Sequence, residues 1–328
     1  MNLSFLTELN ITVEFNACLA RYTTFRLGGN CPALVTCREA RELQRTVAAL
    51  KRKEVPFILM GFGSNILASD KGVARVVVRY SSNTPLITFR LPESLKVSVE
   101  VFVDAATQLD DLAALACRSG LEGITSLSGI PGTVGGGIAG NAGAYGEQIT
   151  DRLVSLQLLH SDGRTVRTVP KDHIHFSYRD SELKHNHDIN LGATFALKPG
   201  VNSGDLITRR NKILATRESK HGNWHENPCA GSFFRNVEPT SKAGPRQSAG
   251  WFLEEAGAKS LRVGGAFPYF KHANIVTHDS RARAQDVYDL TLAMAAKVKE
   301  KFALDLIREV RLLGEFSDGK VGNKAGFW

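Results

Sequence analysis

The chain has few cysteines and no long run of apolar residues. Its 5 cysteines form neither a C-x-x-C pair nor a pattern with metal-ligand spacing, which argues against a disulfide framework or a zinc site. The N-terminal residues MNLSFLTELN lack the basic and apolar regions of a signal peptide, and no stretch is long and apolar enough for a transmembrane helix. We therefore expect an untargeted, cytoplasmic protein without a membrane partner.

The excess of positive charge is modest and spread along the chain. There are 41 Lys and Arg against 33 Asp and Glu, a formal net charge of +8 in 328 residues, with 43% hydrophobic residues. This composition is typical of a soluble globular protein of two or three domains. Because no basic run is interleaved with aromatic residues, the charge indicates a solvated surface or attraction to small anions more than nucleic-acid binding.

One uncharged stretch, 123–146, is very rich in glycine: GITSLSGIPGTVGGGIAGNAGAYG contains 9 glycines in 24 residues. Glycine costs about 1 kcal/mol per interior helical position relative to alanine, and Pro131 removes a backbone donor. The stretch is therefore predicted to be neither an ordinary helix nor a membrane span. So many glycines favour close approach of the backbone to a flat or phosphorylated ligand.

A second glycine loop, Gly61-Phe62-Gly63-Ser64-Asn65, follows a predicted strand. The strand PALVTC, a helix over 38–53 and the strand PFILM precede it, which together form an α/β unit. Such a loop is often simply a tight turn out of a strand. Its backbone N–H groups, with the side chains of Ser64 and Asn65, can instead form an anion site, and we expect it to bind a diphosphate.

The rest of the pattern mixes strands and helices. Alternating residues predict strands at VARVVVRY, SLKVSVEVFVDA, LVSLQLLH, GRTVRTV, INLGATFAL and GGAFPYFKHANIVTH. Helices are predicted over 109–119 and 284–302, and a basic helical segment is predicted from about 204. A further helix is predicted at AGWFLEEAG, with Gly257 as its C-cap. A final strand is expected over 306–313.

Two polar groups have competing interpretations. Tyr178-Arg179-Asp180-Ser181 lies between strands, where Asp180 could cap a plain turn, but Arg179 presents a planar fork suited to a carboxylate or phosphate. Cys229 lies near a Gly-Ser pair and could be a nucleophile, although no activating partner is near it in sequence, so we interpret it as a packing residue.

The histidines include two H-x-H pairs that could bind a metal. No acidic or cysteine partner stands at ligand spacing, so exposed or structural histidines are the favoured interpretation. The pairs are His173 with His175 and His185 with His187.

Seven motifs in one order resemble the family of UDP-N-acetylenolpyruvoylglucosamine reductases, also called UDP-N-acetylmuramate dehydrogenases (MurB). They cover nearly the whole chain, and together they are far more specific than any one alone. The motifs are GFGSN, SLSGIPGTVGGGIAGNAGAYGE, YRDS, AGSFFRN, AGWFLEEAG, KHANIVTH and EVRLLG. YRDS runs into ELKHNHDINLGATF without the tyrosine-bearing segment of longer members, which resembles the short, type II form.

The resemblance implies an α+β fold, with a two-part FAD-binding domain of the vanillyl-alcohol-oxidase (PCMH) type and an α/β substrate-binding domain. The implied boundaries are 1–71 and 72–203 for the two FAD-binding parts, 204–308 for the substrate domain, and a return of 309–328 to the first part. The implied FAD contacts are Gly61, Gly63, Ser64, Asn65, Gly132, Thr133, Gly135 and Gly136.

The resemblance also implies a reaction in cytoplasmic peptidoglycan synthesis. NADPH would reduce FAD, and the flavin N5 would then pass hydride to C3 of UDP-N-acetylglucosamine enolpyruvate. Arg179 and Glu309 would stabilise the negative charge at the substrate carboxylate, and Ser232 would protonate C2. Lys220 and Asn236 match positions that hold the diphosphate. A monomer without nucleic-acid partners is expected.

Two alternative functions remain at this stage. One is an FAD-dependent oxidase or dehydrogenase of the same fold acting on an alcohol or sugar, which the combination of YRDS, AGSFF and EVR disfavours. The other is a noncatalytic nucleotide-binding or nucleic-acid-binding module, suggested only by the basic pI of about 9.3.

Overall fold

The computed structural model describes residues 2–90, 98–238, 247–317 and 321–322, in which helices and strands are mixed along the chain. Its α-helices are α1 (Ala40–Arg52), α2 (Leu109–Arg118), α3 (Val134–Ala139), α4 (Ser203–His221), α5 (Ala249–Glu255) and α6 (Ala284–Phe302). Within the described ranges, no helix combines the length and the apolar composition needed to cross a membrane.

The first sheet is built from the N-terminal part of the chain. Its strands are β1 (Thr12–Cys18), β2 (Asn30–Cys37), β3 (Phe57–Met60) and, after the separate strand β4 (Ile66–Ala68), β5 (Val76–Tyr80). They lie in the order β1-β2-β5-β3, with β2, β5 and β3 parallel and β1 antiparallel to β2. α1 covers one face of this sheet because Leu43, Val47 and Leu50 recur on one side of the helix and are fully buried.

The second sheet lies in the middle of the chain and is antiparallel throughout. Its strands are β6 (Ile87–Arg90), β7 (Val99–Asp104), β10 (Leu153–Leu159), β11 (Val166–Pro170) and β14 (Ile189–Leu197), in the order β11-β10-β14-β7-β6. α2 packs on it through Leu109 and Leu112, which are almost fully buried. The strand expected at SLKVSVEVFVDA is β7, and its residues 94–97 lie outside the described residues.

Four two-residue strands form small hairpins around the glycine-rich stretch and the YRDS motif. They are β8 (Gly143–Ala144) with β9 (Glu147–Gln148), and β12 (Phe176–Ser177) with β13 (Asp180–Ser181). Tyr178 and Arg179 form the turn between β12 and β13.

The third part of the chain packs α5 and α6 around a hairpin of β15 (Ala266–Tyr269) and β16 (His272–His278). Its core contains Phe233, Phe252 and Tyr288, and Phe25 from the N-terminal part joins the same cluster. The Ser248 side chain caps the first turn of α5. Gly257 follows this helix at φ 72°, a conformation that glycine adopts without strain.

The first sheet continues past the boundary expected at residue 71, and the boundary itself stays a prediction. β5 lies between β2 and β3, so the first sheet continues to Tyr80. Parallel pairing between strands that are not neighbours in sequence leaves no local pattern that would indicate this continuation. We propose that the first part ends after Tyr80.

The C-terminal segment also pairs with the N-terminal part. β17 (Arg311–Glu315) runs parallel to β4, and β18 (Val321–Gly322) pairs with β17. The strand expected over 306–313 is therefore wrong in its first half, because residues 306–310 lie before β17. Their backbone instead bonds the segment that follows Ser232: Arg235 N–H donates to Ile307 O at 2.8 Å, and Glu309 N–H donates to Phe233 O at 2.8 Å.

The glycine-rich stretch does contain a helix, which corrects the expectation from composition. α3 is short, and the Thr133 hydroxyl accepts the Gly136 N–H at 3.2 Å as its N-cap. A Cβ at Gly135 would lie only 3.0 Å from the Ala105 side chain, and one at Gly137 would lie 3.2 Å from Ile149. The glycines allow this close packing, and burial of Val134 and Ile138 offsets the low helix propensity of the segment.

Candidate active site

The two glycine loops predicted to bind a cofactor meet each other. The Ser64 hydroxyl donates to the Pro131 carbonyl at 2.6 Å. A Cβ at Gly61 would lie 2.7 Å from the Thr133 hydroxyl oxygen. The loop after β3 and the loop before α3 thus form one uncharged surface of backbone, glycine and small hydroxyl side chains.

Two of these glycines adopt conformations that favour glycine strongly. Gly63 has φ 85° and Gly132 has φ 147°. A Cβ at Gly63 would also clash with the Tyr22 carbonyl oxygen. At these positions glycine sets the direction of the backbone N–H groups, which suits a phosphate-binding loop.

Gly135 and Gly136 have additional roles inside the protein. The Gly135 N–H donates to the Ala105 carbonyl at 2.9 Å. The Gly136 N–H is taken by the Thr133 cap. Both N–H groups are therefore engaged within the fold, and direct contact of these two residues with a cofactor stays a prediction.

Arg179 is held in a defined position beside the glycine-rich stretch. It has φ 57° in the turn between β12 and β13. Its guanidinium donates to the Gly143 carbonyl at 2.7 Å and to the Asn141 carbonyl at 3.3 Å. Its Nε lies 3.2 Å from Glu309 Oε1. The glycine-rich stretch therefore orients the arginine as well as shaping the cofactor loop.

Glu309 connects this arginine to the other glycine loop. Its backbone carbonyl accepts a hydrogen bond from the Asn65 side chain at 3.3 Å. Burial raises the pKa of the Glu309 carboxyl above its ordinary value, against the opposing effect of three nearby cations. These cations are Arg179, Arg235 and Lys184.

Ser232 lies in the segment that bonds the Glu309 backbone. Gly231 precedes it at φ 72°, and Ser232 forms an antiparallel bridge with Ile275 of β16. The next residue, Phe233, donates to the Asn274 carbonyl at 2.7 Å and accepts the Glu309 N–H. The fold thus places Ser232 next to the residue that bonds the Glu309 backbone, while the Glu309 side chain contacts Arg179.

Lys220 and Asn236 lie at the margin of this arrangement. Lys220 is exposed in the last turn of α4. The Asn236 side-chain oxygen accepts the Ala249 N–H at 3.2 Å, at the start of α5. In the described parts of the chain, the hydrogen bonds and ion pairs of Arg179 and Glu309 do not include either residue, so their substrate contacts stay predictions.

The sequence did not indicate the positions of two further cations, Lys184 and Arg217, near the site. Lys184 Nζ donates to the Arg179 carbonyl at 2.7 Å and lies 3.3 Å from Asp180 Oδ1. Arg217 lies in the basic segment predicted from about 204, and it is half-buried and packs on Gly129. The spacing of four residues between Asp180 and Lys184 is the sequence feature that could have indicated their ion pair.

Within the described residues, the cysteines and histidines form neither an activated nucleophile nor a metal site. Cys229 is buried in the apolar core, and burial raises the pKa of its thiol. No group of three or more potential metal ligands was found in the described part of the chain. His185 of the second H-x-H pair lies 3.3 Å from Asp180 instead.

The chain is similar to known proteins over most of its length. Residues 31–169 match an FAD binding domain, and residues 223–313 match the C-terminal domain of UDP-N-acetylenolpyruvoylglucosamine reductase. Proteins with that name from Nostoc punctiforme and Synechococcus sp. are 32% and 33% identical to the chain. The alignments cover 95% and 97% of the chain and 89% and 96% of the relatives.

A solved structure of the Thermus caldophilus reductase of this name superimposes with a TM-score of 0.71 at 30% identity, covering 92% of this chain and 98% of that one. The predicted α+β class with an FAD-binding domain is confirmed by these matches and by the mixed helices and strands. The chain therefore belongs to the UDP-N-acetylenolpyruvoylglucosamine reductase family and is an FAD-binding oxidoreductase.

Proposed function

We propose that the protein reduces UDP-N-acetylglucosamine enolpyruvate to UDP-N-acetylmuramate in peptidoglycan precursor synthesis, with NADPH as the electron donor. The observation that carries this proposal is the contact of Arg179 with Glu309 beside the Asn65 end of the glycine loop. It offers a cation and a carboxyl group for a substrate carboxylate next to the expected cofactor cleft.

The glycine loops fit FAD. The surface formed by Gly61, Ser64, Pro131 and Thr133 has no charged side chain, and backbone N–H groups suit a diphosphate. The left-handed glycines Gly63 and Gly132 allow the backbone to approach a ligand closely. When bound, FAD takes electrons from NADPH and supplies the hydride that reaches C3 of the substrate.

Arg179 and Glu309 would act on the substrate carboxylate. Addition of a hydride at C3 moves negative charge toward C2 and the carboxylate. The Arg179 guanidinium is preorganised by two backbone carbonyls, so it can stabilise that charge without first reorienting. Burial raises the pKa of Glu309, which shifts this carboxyl toward its protonated form and so lessens the repulsion between two bare carboxylates.

Ser232 would give a proton to C2. A hydroxyl group is a weak acid in water, but a carbanion-like neighbour is a strong enough base to take its proton in a fixed geometry. Gly231 and the bridge to Ile275 restrain the Ser232 backbone and support this role. Protonation at C2 completes the reduction of the double bond.

The remaining assignments concern binding. Lys220 and Asn236 are proposed to hold the diphosphate, and the exposed position of Lys220 leaves its ammonium group free to reach an incoming anion. Cytoplasmic location, a monomeric state and the absence of nucleic-acid partners complete the proposal.

Two measurements test this function together. Purified protein should be yellow or take up FAD, and NADPH oxidation should depend on added UDP-N-acetylglucosamine enolpyruvate and yield UDP-N-acetylmuramate. A colourless protein that cannot take up FAD would contradict the proposal. NADPH oxidation that an alcohol or a simple sugar sustains equally well would favour an oxidase or dehydrogenase of the same fold.

A further inference from the structure

A cavity of about 580 Å³ lies between the N-terminal part of the chain and the segment that follows α4. Its walls include the arginines Arg21, Arg26 and Arg79 and the aromatic residues Tyr22, Phe62 and Trp224. The volume is within the range of about 300–1,000 Å³ that is usual for small-ligand pockets. None of the proposed catalytic or FAD-binding residues lines it.

Different residues of the glycine loop contact the expected FAD cleft and this cavity. Gly61 and Ser64 lie against Thr133 and Pro131. The Gly63 carbonyl instead accepts the Thr24 N–H at 3.2 Å, and both Thr24 and Phe62 line the cavity. A ligand in the cavity would therefore be distinct from the cofactor, although it would touch the same loop.

Arg79 brings an uncompensated positive charge to the cavity wall. It is half-buried near the carboxyl end of β5, and its Nε has no hydrogen-bond partner. Burial lowers the pKa of Arg79, and no carboxylate of the described chain is among the charges that act on it. The nearby Glu14 already bonds the Tyr22 hydroxyl at 2.5 Å and Arg21 at 2.9 Å. A buried guanidinium nitrogen without a hydrogen-bond acceptor costs free energy that a bound anion would recover.

The aromatic residues add a surface for a flat ring. The rings of Phe62 and Trp224 are 5.8 Å apart and nearly perpendicular, and His225 stacks on Trp224 at 3.7 Å. The Arg79 guanidinium lies 5.8 Å from the centre of the Tyr22 ring. Aromatic faces beside arginine are a common recognition surface for a nucleobase with its phosphate.

We propose that this cavity binds a nucleotide, with the base against Phe62 and Trp224 and the phosphates on Arg79 and the two arginines at the rim. The binding chemistry is that of an aromatic ring with a phosphate group. Two sources have this chemistry, a free nucleotide and the adenosine diphosphate portion of NADPH.

Calorimetric titration of the FAD-loaded, full-length protein with ADP tests the proposal without any turnover. We expect binding in the micromolar to low-millimolar range, with adenosine or orthophosphate alone at least about tenfold weaker. No heat of binding up to about 5 mM ADP would overturn the proposal. Equal affinity for orthophosphate would overturn it as well, because the aromatic wall would then contribute nothing. The result does not depend on whether the proposed reduction occurs.

Variants locate the binding. Arg79→Gln and Trp224→Leu should each weaken ADP binding by about tenfold or more. Arg26→Gln, at an exposed side chain that does not threaten folding, should weaken it in the same direction. Arg45→Gln makes the same charge change on the exposed side of α1 and should leave binding unaltered. If Lys220→Ala weakens binding and the cavity variants do not, ADP occupies the proposed substrate channel and the inference is wrong.

Steady-state kinetics then distinguish the two sources. A higher KM for NADPH in Arg79→Gln, with an unchanged KM for the enolpyruvyl substrate, identifies the occupant as part of NADPH. An unchanged KM for NADPH together with weaker ADP binding identifies a free nucleotide. Both results support a nucleotide site in this cavity.

Discussion

The guanidinium of Arg179 lies 3.2 Å from the carboxylate of Glu309, and backbone carbonyls of the glycine-rich stretch hold its other nitrogens. One arginine thus joins the expected cofactor loop to the C-terminal segment. Both side chains remain about one-fifth exposed, at 22% and 23%. They are therefore accessible to a substrate but largely shielded from water. Charged groups interact more strongly in such a shielded site than in water.

The first prediction concerns Ser232. Ser232→Ala should leave flavin reduction by NADPH nearly unchanged, while reoxidation by the enolpyruvyl substrate slows by about 10²-fold or more, because the proton donor to C2 is lost. Stopped-flow absorbance of the flavin measures both half-reactions separately. If both slow equally, Ser232 has a structural role and the proposed proton donor is wrong.

The second prediction concerns Glu309 and pH. Its folded-state pKa is raised, so the folded protein favours the protonated carboxyl, and this contribution to stability is lost as pH rises through the folded pKa. The difference in thermal stability between Glu309→Gln and the parent should therefore favour the variant more at about pH 8 than at about pH 4. Thermal unfolding of both proteins at the two pH values measures the difference.

A matched exposed variant controls for the charge change itself. Glu226→Gln alters an exposed carboxylate in the loop after α4 and should show no comparable pH-dependent gain. A Glu309→Gln protein that becomes less stable at high pH relative to low pH would mean that the Arg179 contact outweighs burial.

The third prediction compares two glycines to distinguish the effect of steric clash from the effect of backbone strain. Gly63 and Gly146 have nearly the same φ, 85° and 83°. A Cβ at Gly63 would meet the Tyr22 carbonyl, whereas one at Gly146 would meet nothing within 4 Å. Gly146→Ala should cost about 1–2 kcal/mol of unfolding free energy from backbone strain alone. Gly63→Ala should cost more and should also weaken FAD binding.

Denaturant unfolding and fluorescence titration with FAD measure these two effects. Equal destabilisation by both substitutions, with unchanged FAD affinity, would show that the glycine loop does not need the close approach at Gly63.

The fourth prediction makes Lys184 a positioning residue for Arg179. Its ammonium group holds the Arg179 carbonyl at 2.7 Å and contacts Asp180, and this supports the left-handed conformation of Arg179. Lys184→Met should lower kcat by about tenfold to a hundredfold, since small misplacements of a catalytic group are costly. The flavin half-reaction with NADPH should change little.

Partial rescue by Lys184→Arg, which retains a cation, would indicate positioning. Lys53→Met removes an exposed lysine after α1 and serves as the control. A loss of thermal stability in Lys184→Met with full kcat would limit Lys184 to a structural role.

Local features of the fold could be predicted well. The apolar spacing of Leu43, Val47 and Leu50 indicates a helix, and α1 spans Ala40–Arg52. Features that depend on contacts between distant segments of the chain could not be predicted from the sequence. β5 joins the first sheet by parallel pairing, and β17 begins only at Arg311 because residues 306–310 bond the segment after Ser232.

The sequence by itself determined where most helices and strands lie, where glycine must permit unusual backbone conformations, and which family the ordered motifs resemble. These properties follow from side-chain periodicity and from the steric freedom of single residues, which are local. The tertiary structure decided that a helix forms through Gly135 and Gly137, that Arg179 meets Glu309, and that Lys184 supports the arginine. It also decided that Arg79 lines a cavity where no carboxylate of the described residues acts on it. Burial, pairing and desolvation arise from contacts between distant segments, so no local pattern encodes them.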